Sequence, residues 1–106
     1  MPFDSVASKR AFKSEKLAKN AVFQEAGVAM VDVYCAHPGQ QQPVHGHPNA
    51  AKCYAVIEGR ARITIGDEIR DVGPGDLAYA PRGIPHGIEA IGPADLVALV
   101  FIAGSL

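Results

Sequence analysis

The sequence predicts an all-β domain, and two observations carry the prediction. Most of the eleven glycines and eight prolines lie after residue 36, and between them stand short segments rich in Val, Ile, Tyr and Ala. Short apolar segments bounded by turn-forming residues are typical of β-strands. At 106 residues, with nearly half of them apolar and a fifth charged, the chain has the size and composition of one globular domain.

Eight strands are predicted in order along the chain. They are NAVFQEA (20–26), VAMVDVYCA (28–36), KCYAVIE (52–58), ARITI (61–65), EIRDV (68–72), LAYA (77–80), HGIEAI (86–91) and DLVALVFIA (95–103). Gly66 and Asp67 join ARITI to EIRDV and suit a two-residue type II′ hairpin, which needs glycine first. About eight strands can close into a small barrel or pair as a two-sheet jelly roll, since both arrangements limit exposed strand edges.

The first twenty residues differ from the rest of the chain. They hold five basic residues against Asp4 and Glu15, and their apolar positions do not repeat at the period of a helix. We interpret residues 1–20 as a solvated, mostly irregular N-terminal arm and residues 21–106 as the barrel domain.

Charge and hydropathy exclude several kinds of partner. The formal net charge of −1 gives no sign of a nucleic-acid or membrane partner. No secretory signal is recognisable, and the longest apolar run, LVALVFIA, is far shorter than the ~20 residues of a membrane span. We therefore expect a cytoplasmic protein in which Cys35 and Cys53 are buried free thiols.

Three histidines are candidate metal ligands. His45 and His47 are one residue apart, and on a strand such residues point to the same face with Cα atoms about 6.6 Å apart. Neutral imidazole is a common ligand of divalent transition metals. Two surface histidines at this spacing also arise by chance, so the pair alone is weak. A third, His86, follows the PRGIP turn at the start of another predicted strand.

Two longer stretches resemble a known family. GQQQPVHGHPNAAKCYAVIEG (39–59) and GDLAYAPRGIPH (75–86) are similar to the two sequence motifs of the cupins, which are small jelly-roll β-barrels. The resemblance implies that His45, His47 and His86 converge inside the barrel as ligands of a divalent metal ion, which could be Fe, Mn, Zn, Ni or Cu. It also implies a homodimer.

The chain departs from that pattern at two positions. The cupin motifs usually carry a glutamate where Lys52 stands and an asparagine where Ala90 stands, so the carboxylate ligand is missing. Several interpretations of Lys52 stay open. It could end a strand near solvent, extend its amine to the barrel mouth, lose its proton and act as a base, or share an anionic ligand with the metal. Alternatively, no metal binds.

Three further side chains are candidate substrate contacts. Alternation places Lys52 and Tyr54 on the same strand face, and Tyr79 lies two residues before Pro81. Packing alone also accounts for both tyrosines. No residue is assigned a catalytic role from the sequence.

Two functions follow from the resemblance. The first is a dioxygenase-like or isomerase-like enzyme that acts on a small anionic organic molecule. The alternative is a module that binds a sugar, an organic acid or a metal ion without turnover. The missing glutamate favours the module. Separately, the sequence contains neither the G-x-S-x-G elbow of serine hydrolases nor a phosphate-binding glycine loop.

Overall fold

Nine β-strands make up the fold in a computed structural model that describes residues 2–106. After a short 3₁₀ helix at Ala7–Lys9, the strands are β1 (Ala18–Glu25), β2 (Ala29–Ala36), β3 (Gln41–His45), β4 (Ala50–Glu58), β5 (Ala61–Ile65), β6 (Glu68–Val72), β7 (Leu77–Ala80), β8 (His86–Ala90) and β9 (Leu96–Gly104). The eight predicted segments are all strands, and their ends differ from the prediction by two residues at most. The all-β prediction is confirmed.

The strand β3 was not predicted. Its sequence QQPVH carries a proline and lacks a run of β-branched residues, so its composition does not indicate a strand. In the structure β3 lies at the edge of its sheet, and its pairing with β8 is irregular between Gln42 and His45. An edge position tolerates proline because one side of the strand has no neighbouring strand. The N–H that proline lacks is therefore not needed for a hydrogen bond on that side.

Two antiparallel sheets face each other. The five-stranded sheet has the order β1-β2-β9-β4-β7 and the four-stranded sheet the order β3-β8-β5-β6. The β5–β6 hairpin turns at Gly66 with a φ of 62°, which agrees with the type II′ turn expected there. The chain thus forms a two-sheet jelly-roll barrel, as the sequence resemblance implies.

The space between the sheets holds the core. Its fully buried side chains include Tyr34, Tyr54, Ile88, Leu96 and Val100. Three polar residues are buried with them, and these are Asp32, Lys52 and His86. Since buried polar groups need partners, the polar residues mark the part of the interior where function is to be sought.

The N-terminal arm attaches to the outside of the five-stranded sheet. Val6 and Phe12 pack against a small buried cluster on its outer face that includes Val33 and Val97. The Asn20 amide donates hydrogen bonds to two carbonyl oxygens of the arm. Most of the arm is exposed, as expected, but its apolar side chains cover part of the sheet.

The two cysteines are free, as expected. Cys35 is buried, whereas Cys53 is only partly buried because it faces outward from β4. None of the helical segments in residues 2–106 is long and apolar enough to cross a membrane.

Candidate metal centre

The structure brings the three histidines together. His45 ends β3 and pairs directly with His86, the first residue of β8. Their ring centroids lie 4.6 Å apart, and the His47 ring is 4.8 Å from that of His45 and 5.7 Å from that of His86. One ring nitrogen from each histidine lies within 4.8 Å of the other two.

His47 reaches the cluster from a loop. Strand spacing predicted that His45 and His47 point the same way within one strand, but β3 ends at His45. The backbone carbonyl of His47 accepts a hydrogen bond from the Gly83 N–H at 2.9 Å. This contact ties the loop to the turn that precedes His86, so the two motifs are held against each other.

Backbone carbonyls fix the tautomers of two of the histidines. Nδ1 of His45 lies 2.8 Å from the Pro43 oxygen, and Nδ1 of His86 lies 2.9 Å from the Ile84 oxygen. A carbonyl oxygen only accepts, so each Nδ1 carries the proton and each Nε2 keeps a free lone pair. Metal-binding histidines typically donate their second ring nitrogen in this way.

The lone pairs have no partner in the chain. Within residues 2–106, Nε2 of His45 and Nε2 of His86 are buried and accept no hydrogen bond. Burial lowers the pKa of both His47 and His86, and neighbouring charges that include Lys52 lower them further. Neutral imidazoles with unsatisfied nitrogens are the donor set that a divalent transition metal requires, so these residues fit a metal ion.

Lys52 is buried beside the cluster. Its side chain comes from β4, is 2% exposed, and donates a hydrogen bond to the Gln42 amide oxygen at 2.8 Å. The ammonium lies 5.1 Å from the ring centroid of Tyr34 and 5.3 Å from that of Tyr54. This geometry contradicts a lysine near solvent, because the amine is held across the interior between the two sheets.

The charge of Lys52 follows from its surroundings. Burial, and then the nearby Lys19, lowers its pKa from 10.5 to about 8, while Asp32 opposes that shift. A group with this pKa is mainly protonated at pH 7. The interior therefore contains a lysine ammonium where the cupin motif has a carboxylate.

A pocket of about 400 Å³ opens onto this site. Its polar lining consists of Lys19, Asp32, Tyr34, Gln42, His45, His47 and Lys52. The pocket has room for a small organic molecule that contacts His45, His47 and Lys52.

Asp32 is a site residue that sequence reasoning missed. It is 9% exposed and lines the same pocket, and burial raises its pKa. The signal was present, because alternation along VAMVDVYCA puts Asp32 on the same inward face as Tyr34. An acidic residue at an inward position of a buried strand is unusual enough to flag.

The structure places the two candidate tyrosines, Tyr54 and Tyr79, in different environments. Tyr54 is fully buried, its ring lies 6.3 Å from that of His86, and its hydroxyl is buried without a hydrogen-bond partner in the described chain. Burial raises its pKa, so the hydroxyl stays protonated. Tyr79 is 60% exposed and stands opposite Cys53 on the outer face, since its neighbours in β7 occupy the inward positions. The structure thus does not place Tyr79 at this pocket.

Comparisons with known proteins agree with the fold. A family profile described as "Cupin domain" matches residues 32–102. The crystal structure of TT1209 from Thermus thermophilus superimposes with a TM-score of 0.94 at 33% identity, and the match covers 100% of both chains. An uncharacterized protein with a double-stranded β-helix domain from Klebsiella pneumoniae superimposes with a TM-score of 0.89 at 27% identity over 99% of this chain and 91% of the other.

Part of the chain is similar to curated proteins, one of which is an oxalate decarboxylase. Oxalate decarboxylase OxdC of Bacillus subtilis is 45% identical over 73 residues, which are 64% of this chain and 19% of the relative. The uncharacterized protein MJ1618 of Methanocaldococcus jannaschii is 36% identical over 58 residues, which are 55% of this chain and 46% of the relative. The chain therefore spans less than half the length of either curated relative.

Proposed function

Because the chain belongs to the cupin family, we propose that it is a metal-dependent enzyme that holds one divalent ion on three histidines and acts on a small organic carboxylate. The ligands are His45, His47 and His86. The observation that carries the proposal is the pair of buried, unpartnered Nε2 atoms on His45 and His86, which are fixed as acceptors by backbone carbonyls.

Charge balance supports a carboxylate as the ligand. Three neutral imidazoles leave a divalent ion with its full charge, and Lys52 adds a further positive charge nearby. An anion placed between them is attracted by both. A bound carboxylate would thus supply the negative charge that a glutamate provides in the usual cupin motif. The 45% identity with an oxalate decarboxylase over 73 residues supports the same chemical class.

The chain's own residues have separable roles in this proposal. A divalent ion at the histidines supplies Lewis-acid chemistry and a fixed point for substrate oxygen atoms. Lys52 binds the substrate carboxylate, and Gln42 orients the Lys52 amine through their 2.8 Å hydrogen bond. The protonated Tyr54 hydroxyl is available as a hydrogen-bond donor inside the barrel. The buried surroundings of Lys52 and Tyr54 strengthen each of these contacts.

Metal uptake tests the site. We expect the wild-type chain to retain about one divalent ion after dialysis against Mn(II), Fe(II) or Zn(II), measured by elemental analysis. Replacing any one of His45, His47 and His86 by alanine should lower retention at least tenfold. His37→Ala is the matched control, because His37 pairs with Asp95 at 2.8 Å outside the cluster. Wild-type protein that retains no ion would contradict the proposal.

Turnover separates the enzyme from a second candidate. Lys52 in the place of a carboxylate ligand also suits a module that binds a carboxylate without converting it. Metal-loaded protein should be incubated with small carboxylates while oxygen consumption and product formation are followed by electrode and NMR. Oxygen uptake would indicate a dioxygenase, and conversion without oxygen an isomerase or decarboxylase. Tight binding with no product would favour the module.

A further inference from the structure

Asp32 occupies a distinctive place in the barrel interior. In the five-stranded sheet it stands opposite Val100 of β9, which stands opposite Tyr54 of β4. Lys52 lies in the next inward row on β4, two residues from Tyr54. Asp32 and Lys52 therefore reach the same pocket from strands that are separated by β9, and the pocket touches both.

One oxygen of the Asp32 carboxyl group lacks a hydrogen-bond donor. Its Oδ1 is buried, and no donor within residues 2–106 reaches it. Lys52 directs its hydrogen bond to Gln42 instead, so Lys52 and, more weakly, Lys19 act on Asp32 only through their charges. Buried carboxyl oxygens nearly always accept hydrogen bonds, so this atom is available to accept one from a bound molecule.

The pocket thus presents two different polar groups to a ligand, the Lys52 amine and the Asp32 carboxyl group. Lys52 offers a positive donor, and Asp32 offers an acceptor whose negative charge repels a carboxylate. A ligand that satisfies both carries a carboxylate and, separately, a hydrogen-bond donor. In a small organic acid that carries no cationic group, that donor is a hydroxyl group.

We propose that Asp32 is the specificity-determining residue of this pocket and that it accepts a hydrogen bond from the hydroxyl group of a small hydroxycarboxylate whose carboxylate lies on Lys52. The proposal rests on the proposed function, since both concern one pocket. It goes further by naming the residue that distinguishes a hydroxy acid from the corresponding simple acid.

A merely structural Asp32 would behave differently. If the carboxyl group served only as a counter-charge for Lys52, its removal would change the affinity for every carboxylate by the same factor. If it accepts from a ligand hydroxyl, its removal changes the ratio of affinities between a hydroxy acid and its deoxy analogue. The ratio is therefore the readout.

Binding of matched acid pairs tests the proposal. Dissociation constants are measured by calorimetry or ligand NMR for lactate against propionate, 3-hydroxypropionate against propionate, and glycolate against acetate. We expect wild-type protein to prefer at least one hydroxy acid over its partner by about 10- to 100-fold, as for a hydrogen bond to a charged group. Asp32→Leu should abolish this preference and leave the affinity for the simple acid equal or higher.

Two further variants serve as controls for the Asp32→Leu result. Asp32→Asn keeps an acceptor oxygen without the charge, so it should retain part of the preference. Asp67→Asn makes the same change of charge in the exposed β5–β6 turn and should leave the preference unchanged. Circular dichroism checks that each variant folds. If Asp32→Leu does not fold, the wild-type ratios and Asp32→Asn still decide.

The measurements are made on metal-loaded and on metal-free protein, so the two proposals fail in different ways. If the protein takes up no metal but still prefers hydroxy acids, the proposed function is contradicted and the role of Asp32 is supported. Metal uptake without any hydroxy-acid preference in the wild type overturns the role of Asp32. An equal loss of affinity for both members of a pair in Asp32→Leu, or no binding of any of these acids, overturns it as well.

Discussion

Lys52 is the residue on which the site departs most from the cupin pattern. The structure holds its ammonium inside the barrel, on Gln42 and beside the rings of Tyr34 and Tyr54. A buried ammonium is costly unless something compensates its charge. The effect of the Lys52 charge on the free energy of unfolding and its effect on metal affinity can be measured separately.

Replacing Lys52 should stabilise the metal-free chain at neutral pH. Its pKa is about 8 in the folded state against 10.5 for an ordinary lysine, so the associated stability is present above pH 10.5 and is lost as the pH falls towards 8. At pH 7 the loss is on the order of 3 kcal/mol. We expect Lys52→Met to be more stable than wild type at pH 7 in urea unfolding, by about 1–3 kcal/mol.

The same comparison at high pH provides its control. The advantage of Lys52→Met should shrink as the pH rises from 8 to 10.5, because the wild-type amine loses its proton in the folded state over this range and no longer buries a charge. Lys16→Met, a change at an exposed lysine of the arm, should show no such trend. A constant difference between Lys52→Met and wild type across this range would show that packing, not charge, sets the effect.

Restoring a carboxylate at position 52 should tighten the metal site. Lys52→Glu removes a positive charge near three neutral imidazoles and provides an oxygen ligand, so we expect divalent-metal affinity to rise by at least tenfold in competition titrations with a chelator. Lys52→Gln is the matched control, since it removes the charge without adding a carboxylate. Equal affinities in the two variants would mean that position 52 does not reach the ion.

Individual residues were unequally predictable from the sequence. The three histidines lie in motifs of fixed spacing, so their convergence was expected. Tyr79 was a candidate substrate contact beside a packing interpretation, because a four-residue strand does not reveal which of its faces is inward; in the structure β7 turns this side chain outward. Asp32 was overlooked because its significance depends on an unpartnered oxygen, which no sequence pattern records.

At the scale of elements, turns were easier to foresee than pairing. Glycine positions indicated most of the strand ends, and Gly59, Gly75 and Gly83 all have a positive φ in the structure. The edge strand β3 was missed because it is stabilised by its pairing with β8 and not by its own composition. The register that puts His45 opposite His86 joins segments far apart in sequence, and local patterns do not encode it.

The turn after β4 offers a test of how tightly the barrel is closed. Gly59 has a φ of 77°, and a methyl group there would collide with the carbonyl of Asp95. Gly75 has a φ of 89° but has nothing within 4 Å of the same position. We expect Gly75→Ala to cost about 1–2 kcal/mol from backbone strain alone and Gly59→Ala at least twice as much. Thermal unfolding measures both, and equal losses would contradict the close approach at Gly59.

At the scale of the whole molecule, the outer face of the five-stranded sheet is apolar. One row across it consists of Phe23, Val31, Phe101, Cys53 and Tyr79, in strand order β1, β2, β9, β4 and β7. Phe101 is 44% exposed and Tyr79 60%, and no charged residue interrupts the row. The arm covers a different part of this face, around Val33 and Val97.

We propose that a second copy of the chain packs on this row and forms the homodimer that the family resemblance implies. Two sheets can pack face to face when their outward side chains are apolar, and the same row on each copy makes a self-complementary surface. Phe101→Lys should convert a dimer into a monomer in size-exclusion chromatography with light scattering. Ile69→Lys, at an exposed position of the other sheet, should leave the dimer intact. A wild-type monomer at micromolar concentration would contradict this proposal.

Anomalous X-ray diffraction from crystals soaked in Zn(II) or Mn(II) tests the central claim most directly. The account predicts one strong anomalous peak inside the barrel, with Nε2 of His45 and His86 and a ring nitrogen of His47 each about 2.0–2.2 Å away. A peak elsewhere, or a barrel in which the three imidazoles stay apart and bind no ion at saturating metal, would contradict it.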